Sequence, residues 1–253
     1  EKGKIELHSK DEVDLILKSI KNKDLVIKAV EKKERKRSAP KPFTTSSLQQ
    51  EASGKLSFTT KKTMIVAQQL YEGVDIKGKG SLGLITYIRT DSFRISDEAQ
   101  ENAKNYINDK YGKDYFKKYQ NNSKSKKKIQ DAHECIRPSY VDLAPEDIED
   151  SLSKEQFKLY KLIWERFIAT MMADAIYDSQ NISASIDKYI FKTSGSKLKF
   201  DGFMKVYSFS SQEETILPDM KEESVFPVKK IDPKQHFTQP PARYSEASLV
   251  KTL

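Results

Sequence analysis

The apolar residues of this chain change period near residue 175, and no single kind of element can serve both periods. Before that point, Phe157, Tyr160, Ile163, Trp164, Phe167, Ile168 and Met171 recur at spacings that share one face of a helix. Ser153 with Gln156 is a capping-box pattern and marks where that helix starts. After it, Ile182, Ala184 and Ile186 alternate, as do Leu198 and Phe200. Residues 178–232 are therefore expected as antiparallel strands, with a turn at Ser194-Gly195-Ser196. The remainder extends the division. Ser9 with Glu12 opens a helix carrying Val13, Ile16, Leu17 and Ile20, and Leu25–Val30 reads as a strand. Thr44–Glu51 is a hydroxyl-rich helix start, and a second helix is expected over 61–72. A loop of glycines 73, 78, 80 and 83 leads to a strand at 84–90. Ser96 caps a helix with Ala99, Ala103, Tyr106 and Ile107 inward, ended by Gly112. A lysine-rich loop over 119–130 and a short helix at Pro145 follow. The fold class read from this is α+β. Residues 1–39 and 174–244 form one discontinuous, antiparallel β-rich domain, a mostly helical domain at 40–173 is inserted in it, and 245–253 begin a following, truncated domain.

Composition removes several function classes. No run approaches the ~18 apolar residues of a membrane span, and the Glu1-Lys2-Gly3-Lys4 start lacks the apolar core of a signal peptide. One Cys forms no internal disulfide, and with three scattered His it makes no metal cluster, so a reducing cytoplasm fits and no metal ligand is assigned. Net charge is +8, but the first 130 residues hold +12 and the rest −4. Such asymmetry suits a polyanionic partner, above all nucleic acid. The runs Lys32–Arg37 and Lys124–Lys128 read equally well as solvated loops.

Two glycine strings imitate phosphate loops. Gly73 through Lys79 nearly fits a P-loop, but Gly80 stands where the magnesium-binding hydroxyl belongs. Gly78-Lys79-Gly80-Ser81-Leu82-Gly83 fits G-x-G-x-x-G, yet it follows a helix and precedes a strand, the reverse of a dinucleotide site. The chemistry lies elsewhere. On the strand Thr86-Tyr87-Ile88-Arg89-Thr90-Asp91-Ser92, residues Tyr87, Arg89 and Asp91 share a face. A phenol beside a guanidinium suits phosphoryl transfer: the oxygen attacks phosphorus and the arginine forks the phosphate oxygens. The second cluster is Asp131-Ala132-His133-Glu134-Cys135-Ile136-Arg137-Pro138-Ser139. His133 can donate to a phosphate and Arg137 can clamp one. Cys135 reads as a packing residue or as the nucleophile of a thiol hydrolase.

Together these clusters resemble the bacterial type IA DNA topoisomerases. The matching stretches run in order along nearly the whole chain. They are Phe43–Gln50, Lys61–Met64 through Leu70-Tyr71-Glu72, Gly83–Ser92, Ala132–Pro138, Phe200-Asp201-Gly202-Phe203 and His236–Val250. Cys135 departs from the small residue usual after the Glu of the His motif. The resemblance implies that Tyr87 is the nucleophile of a 5′-phosphotyrosyl link to single-stranded DNA and that Arg89 supports it at the scissile phosphate. It places His133 beside the bound strand, with Arg137 in the same motif. Lys61 and Lys62, with the Thr44–Gln50 helix start, are read as a further DNA surface. It further implies a gate domain at 40–173 on an arch at 1–39 and 174–244. The implied activity is ATP-independent relaxation of negatively supercoiled DNA by a monomeric, cytoplasmic enzyme of the nucleoid. No cofactor is expected in this piece. Magnesium is expected for the full-length enzyme, through a Toprim domain the piece lacks, so the piece alone is expected to be inactive. A non-catalytic single-stranded nucleic-acid-binding module is the alternative.

Overall fold

The computed structural model describes residues 3, 5–120, 133–208 and 214–252. The Lys124–Lys128 run and Asp131-Ala132 lie outside the described residues. Chain order gives α1 (Lys10–Ile20), β1 (Leu25–Arg37), α2 (Thr45–Leu56), α3 (Thr60–Glu72), β2 (Val74–Ile76), β3 (Gly80–Leu82) and α4 (Asp97–Lys110). Then follow α5 (Lys154–Thr170), β4 (Ala175–Ile186), β5 (Tyr189–Phe200), β6 (Val225–Phe226) and α6 (Glu246–Thr252). The class is mixed α+β. Contacts divide the chain into two units. One comprises Glu1–Lys36, Ile176–Lys199 and Gln212–Pro241; the other comprises Arg37–Ala175, Phe200–Ser211 and Ala242–Leu253.

The first unit is built on a four-stranded sheet, ordered β5-β4-β1-β6. Ile27, Ile182 and Ala184 are its buried centre, with Leu25, Val30, Leu217 and Met220 packed against them. Three expectations change here. The Lys32–Arg37 run is strand rather than loop: β1 continues through it, because β4 supplies a ladder partner and sheet pairing outweighs the low strand preference of lysine. Its charges are matched along the way, Lys32 with Asp219 and Glu34 with Lys199. The β4–β5 turn falls at Asp187-Lys188, not at Ser194–Ser196. Asp187 takes φ 56°, a conformation that aspartate tolerates better than most residues. Among the described residues beyond Phe200, the expected strands shrink to β6, which pairs antiparallel with β1 at Leu25 and Val26, and an isolated bridge from Thr215 to Ser196.

The second unit packs helices around α5. Leu159, Tyr160, Leu162, Ile163, Trp164, Phe167 and Ile168 are buried along it, each such side chain contributing about 1.5–3 kcal/mol at most by area. Its two polar aromatics are satisfied inside: Tyr160 donates to the Leu143 carbonyl at 2.7 Å, and Trp164 Nε1 to that of Val141 at 3.1 Å. Ser153 and Gln156 cap the helix reciprocally, as the pattern requires. Thr44, Thr59 and Ser96 cap α2, α3 and α4 through their hydroxyls. The glycine loop after α3 forms a small hairpin, β2 with β3. At Pro145 the short helix is a pair of 3-10 turns. Helix α6 packs along α2, with Glu246 accepting from the Thr60 N–H and hydroxyl.

Within this unit one knot gathers four distant stretches. The Asp174 carboxylate accepts from Lys117 Nζ at 2.8 Å and from the Ala39 N–H at 3.3 Å. Ala173 N–H donates to the Tyr115 carbonyl, and Phe203 N–H to the Ala173 carbonyl. Tyr115 donates to Asp201 at 2.7 Å, a bond that, with burial, pushes its phenol up to about 12. Gly202 sits at φ 50°, where an added Cβ would fall 2.4 Å from the Ala173 carbonyl oxygen and 2.6 Å from that of Asp174. Backbone strain and overpacking act together, so Gly202→Ala is expected to cost about 2–4 kcal/mol in urea unfolding.

Candidate active site

The segment carrying the sequence-predicted tyrosine is not a strand. Ile85 makes an isolated bridge with Pro138, and the chain bends at Ile88 and Arg89. Side-chain hydroxyls replace the ladder. Thr86 donates to the Cys135 carbonyl at 2.7 Å and accepts from the Arg137 N–H at 3.0 Å. Thr45, at the start of α2, donates to the Ile88 carbonyl at 2.7 Å and accepts from the Thr90 N–H at 2.9 Å. Main-chain bonds flank them: Thr86 N–H to the Arg137 carbonyl, Ser139 N–H to that of Leu84, and Thr45 N–H to that of Thr90. The alternation inferred from sequence survives the loss of the strand. Ile88 is buried at 1% exposure while Tyr87, Arg89 and Asp91 are exposed on either side of it.

Tyr87 is 36% exposed, and its hydroxyl has no hydrogen-bond partner among the described residues. Two rings frame it. His133 lies 4.9 Å away between centroids, tilted at 39°, and Tyr71 lies 5.6 Å away, edge-on at 66°. Arg89, Asp91 and His133 line an open cleft of 390 Å³ together with Thr45, Ser46 and Thr90. Among the described residues the Arg89 guanidinium has no ion pair or hydrogen bond, so its fork is available to an anion. The start of α2 opens onto the same cleft and adds a partial positive charge.

The other expected DNA residues are placed differently. Arg137 faces inward with its side chain 13% exposed, paired to Glu134 and donating to the Pro138 carbonyl at 3.0 Å. Glu134 in turn accepts from the Ser96 N–H, so this pair anchors the start of α4 rather than facing the cleft. Lys61 and Lys62 line a separate cleft with Ile65, Gln69 and Ser153. Lys62 is engaged there with Glu155 at 3.3 Å and lies over the Phe58 ring; Lys61 is exposed. Tyr71 escaped the reading of the sequence as a site residue. Its signal was its place at the end of a helix that runs straight into the glycine hairpin before Tyr87. Among the described residues no group of three or more His, Cys, Asp or Glu side chains is placed to hold a metal ion. An exposed phenol packed on an imidazole, with that imidazole and a free guanidinium lining one open cleft, supplies parts suited to phosphoryl transfer.

The family described as DNA topoisomerase matches residues 1–253. The fold is similar to that of full-length topoisomerase I from Thermotoga maritima, with a TM-score of 0.81 and 35% sequence identity. The match covers 98% of this chain and 40% of that one, so the chain spans well under half the length of this relative.

Cys135 stands apart from these groups. It is fully buried, and burial pushes its thiol up to about 12. A thiol that stays neutral and unreachable is no nucleophile, which removes the thiol-hydrolase reading. Native protein at pH 8 is therefore expected to leave Cys135 unmodified by a thiol-specific disulfide reagent and to release one equivalent of reacted thiol after denaturation. Fast labelling of the native protein would contradict the burial.

Proposed function

Because the chain belongs to the type IA DNA topoisomerase family, we propose that Tyr87 is the nucleophile with which it opens one strand of DNA. The observation that carries this reading is the exposed Tyr87 phenol packed on the ring of His133, which lines an open cleft together with an unpaired Arg89. The phenol oxygen attacks phosphorus, the bond from phosphorus to the 3′ oxygen breaks, and the proton lost by the phenol ends on that 3′ hydroxyl. The DNA remains attached to Tyr87 through its 5′ phosphate. One phosphate ester replaces another, so the bond energy is retained and the reverse step reseals the strand without ATP. Strand passage between the two steps relaxes negative supercoils.

Each side chain has a part in that exchange. Arg89 forks the non-bridging phosphate oxygens and stabilises the charge that grows on them in the transition state. His133 donates to a neighbouring phosphate, and the α2 start adds its dipole. Arg137 acts by holding the His133 segment in place through Glu134. Lys61 adds charge along the strand path, with the salt dependence of phosphate contacts. Magnesium for the intact enzyme would be held by the carboxylates of a Toprim domain rather than by the residues of this cleft.

Three expectations follow from these roles. In the intact topoisomerase that carries this chain, Tyr87→Phe abolishes denaturant-trapped covalent DNA while leaving single-strand affinity within about twofold, since only the attacking oxygen is lost. Arg89→Ala slows covalent capture by about 10²-fold or more. A non-catalytic binding module would show neither effect. Residues 1–253 alone fold but do not relax supercoiled plasmid; magnesium-dependent relaxation by them would overturn that part of the reading.

A further inference from the structure

Tyr71 occupies the last turn of α3 and stays 38% exposed. Its ring stands edge-on to Tyr87, and Tyr87 has His133 as its other ring neighbour. A phenol bounded by two rings has few rotamers left to it. The main chain behind Tyr71 is fixed to the same segment. Leu84 N–H donates to the Leu70 carbonyl at 2.7 Å. At Gly83 an added Cβ would fall 2.7 Å from the Tyr71 carbonyl oxygen, so the chain leading to Tyr87 passes Tyr71 at a distance only glycine allows. Ring and nucleophile are thereby carried on one rigid support, α3 and the Gly83–Tyr87 stretch together.

We propose that Tyr71 is a positioning residue for the Tyr87 nucleophile: its ring holds the phenol at the angle from which the oxygen meets the scissile phosphate. The proposal rests on the reading of Tyr87 as nucleophile. In-line displacement demands alignment of the attacking oxygen, phosphorus and the leaving oxygen, and a nucleophile that swings freely spends little time there. An edge-on ring contact resists that swing without consuming the hydroxyl, which must stay free to react. The ring of Tyr71 is what matters; its own hydroxyl is not required.

The test uses the intact topoisomerase and a single-stranded oligonucleotide at saturating concentration. The rate of covalent-complex formation is read by denaturant trapping, and the affinity by fluorescence anisotropy. Tyr71→Ala is expected to slow capture roughly 3- to 10-fold, the size of one aromatic pair contact, with affinity within twofold. Tyr71→Phe restores the native rate. Should Tyr71→Ala lose its thermal transition, Tyr71→Leu carries the same expectation. A native rate in the truncated variant overturns the proposal. So does a Phe variant as slow as Ala, which would assign the role to the hydroxyl, or a weakened affinity at native rate, which would make Tyr71 a DNA contact. Tyr87→Phe runs alongside: covalent product from it overturns the nucleophile reading itself.

Discussion

Two threonine hydroxyls hold the reactive segment where no strand ladder does. Thr45 and Thr86 each donate to one main-chain carbonyl and accept from one main-chain N–H, spanning the bend that contains Tyr87 and Arg89. An ordinary strand would have paired these groups with a neighbour and turned its side chains to fixed sides of a sheet. Here Thr45 satisfies the segment's own Ile88 carbonyl and Thr90 N–H, while Thr86 ties the segment to the Cys135 carbonyl and Arg137 N–H, so the segment can bend and still present Tyr87, Arg89 and Asp91 outward over a buried Ile88. Removing either hydroxyl would leave a half-buried N–H and carbonyl without partners, at about 1–3 kcal/mol, next to the reacting groups. The Glu134–Arg137 pair serves the same end from behind, tying the His133 segment to the start of α4.

The electrostatics of the site follow from which charges are left over. Arg137 and Lys62 have carboxylate partners, whereas Arg89 has none among the described residues. The free guanidinium faces the cleft that His133 and the α2 start also face. A phosphate entering there meets donors that are already oriented, which is how a fixed site stabilises charge without reorganising. Cys135, two residues after His133, shows the opposite treatment: enclosed, neutral and structural.

Much of this was legible in the sequence, and the exceptions have physical causes. The α5 stripe, its capping box and the Ser96 cap are local signals, and local signals were read correctly. Tyr87 and Arg89 stood out because their spacing puts them on one side of any extended chain, and that holds without a strand. The strand itself was misread because β-branched and aromatic residues mark extended backbone, whatever supplies its hydrogen-bond partners. The basic run in β1 was misread for the complementary reason: its partner strand lies more than a hundred residues away in the chain and leaves no trace beside it. Arg137 stands as a free cation in the sequence, whereas in the fold Glu134, three residues earlier, engages its guanidinium. For Tyr71 the sequence offers only its place before the glycine hairpin, because ring packing between residues 71 and 87 is a tertiary fact.

The account turns on one covalent bond. The intact topoisomerase is incubated with a single-stranded oligonucleotide, quenched with denaturant, digested, and its nucleotide-bearing peptide sequenced by mass spectrometry. The account predicts a single adduct, on the oxygen of Tyr87, joined to the 5′ phosphate of the DNA. An adduct on another side chain, a 3′ linkage, or no covalent peptide at all would contradict it.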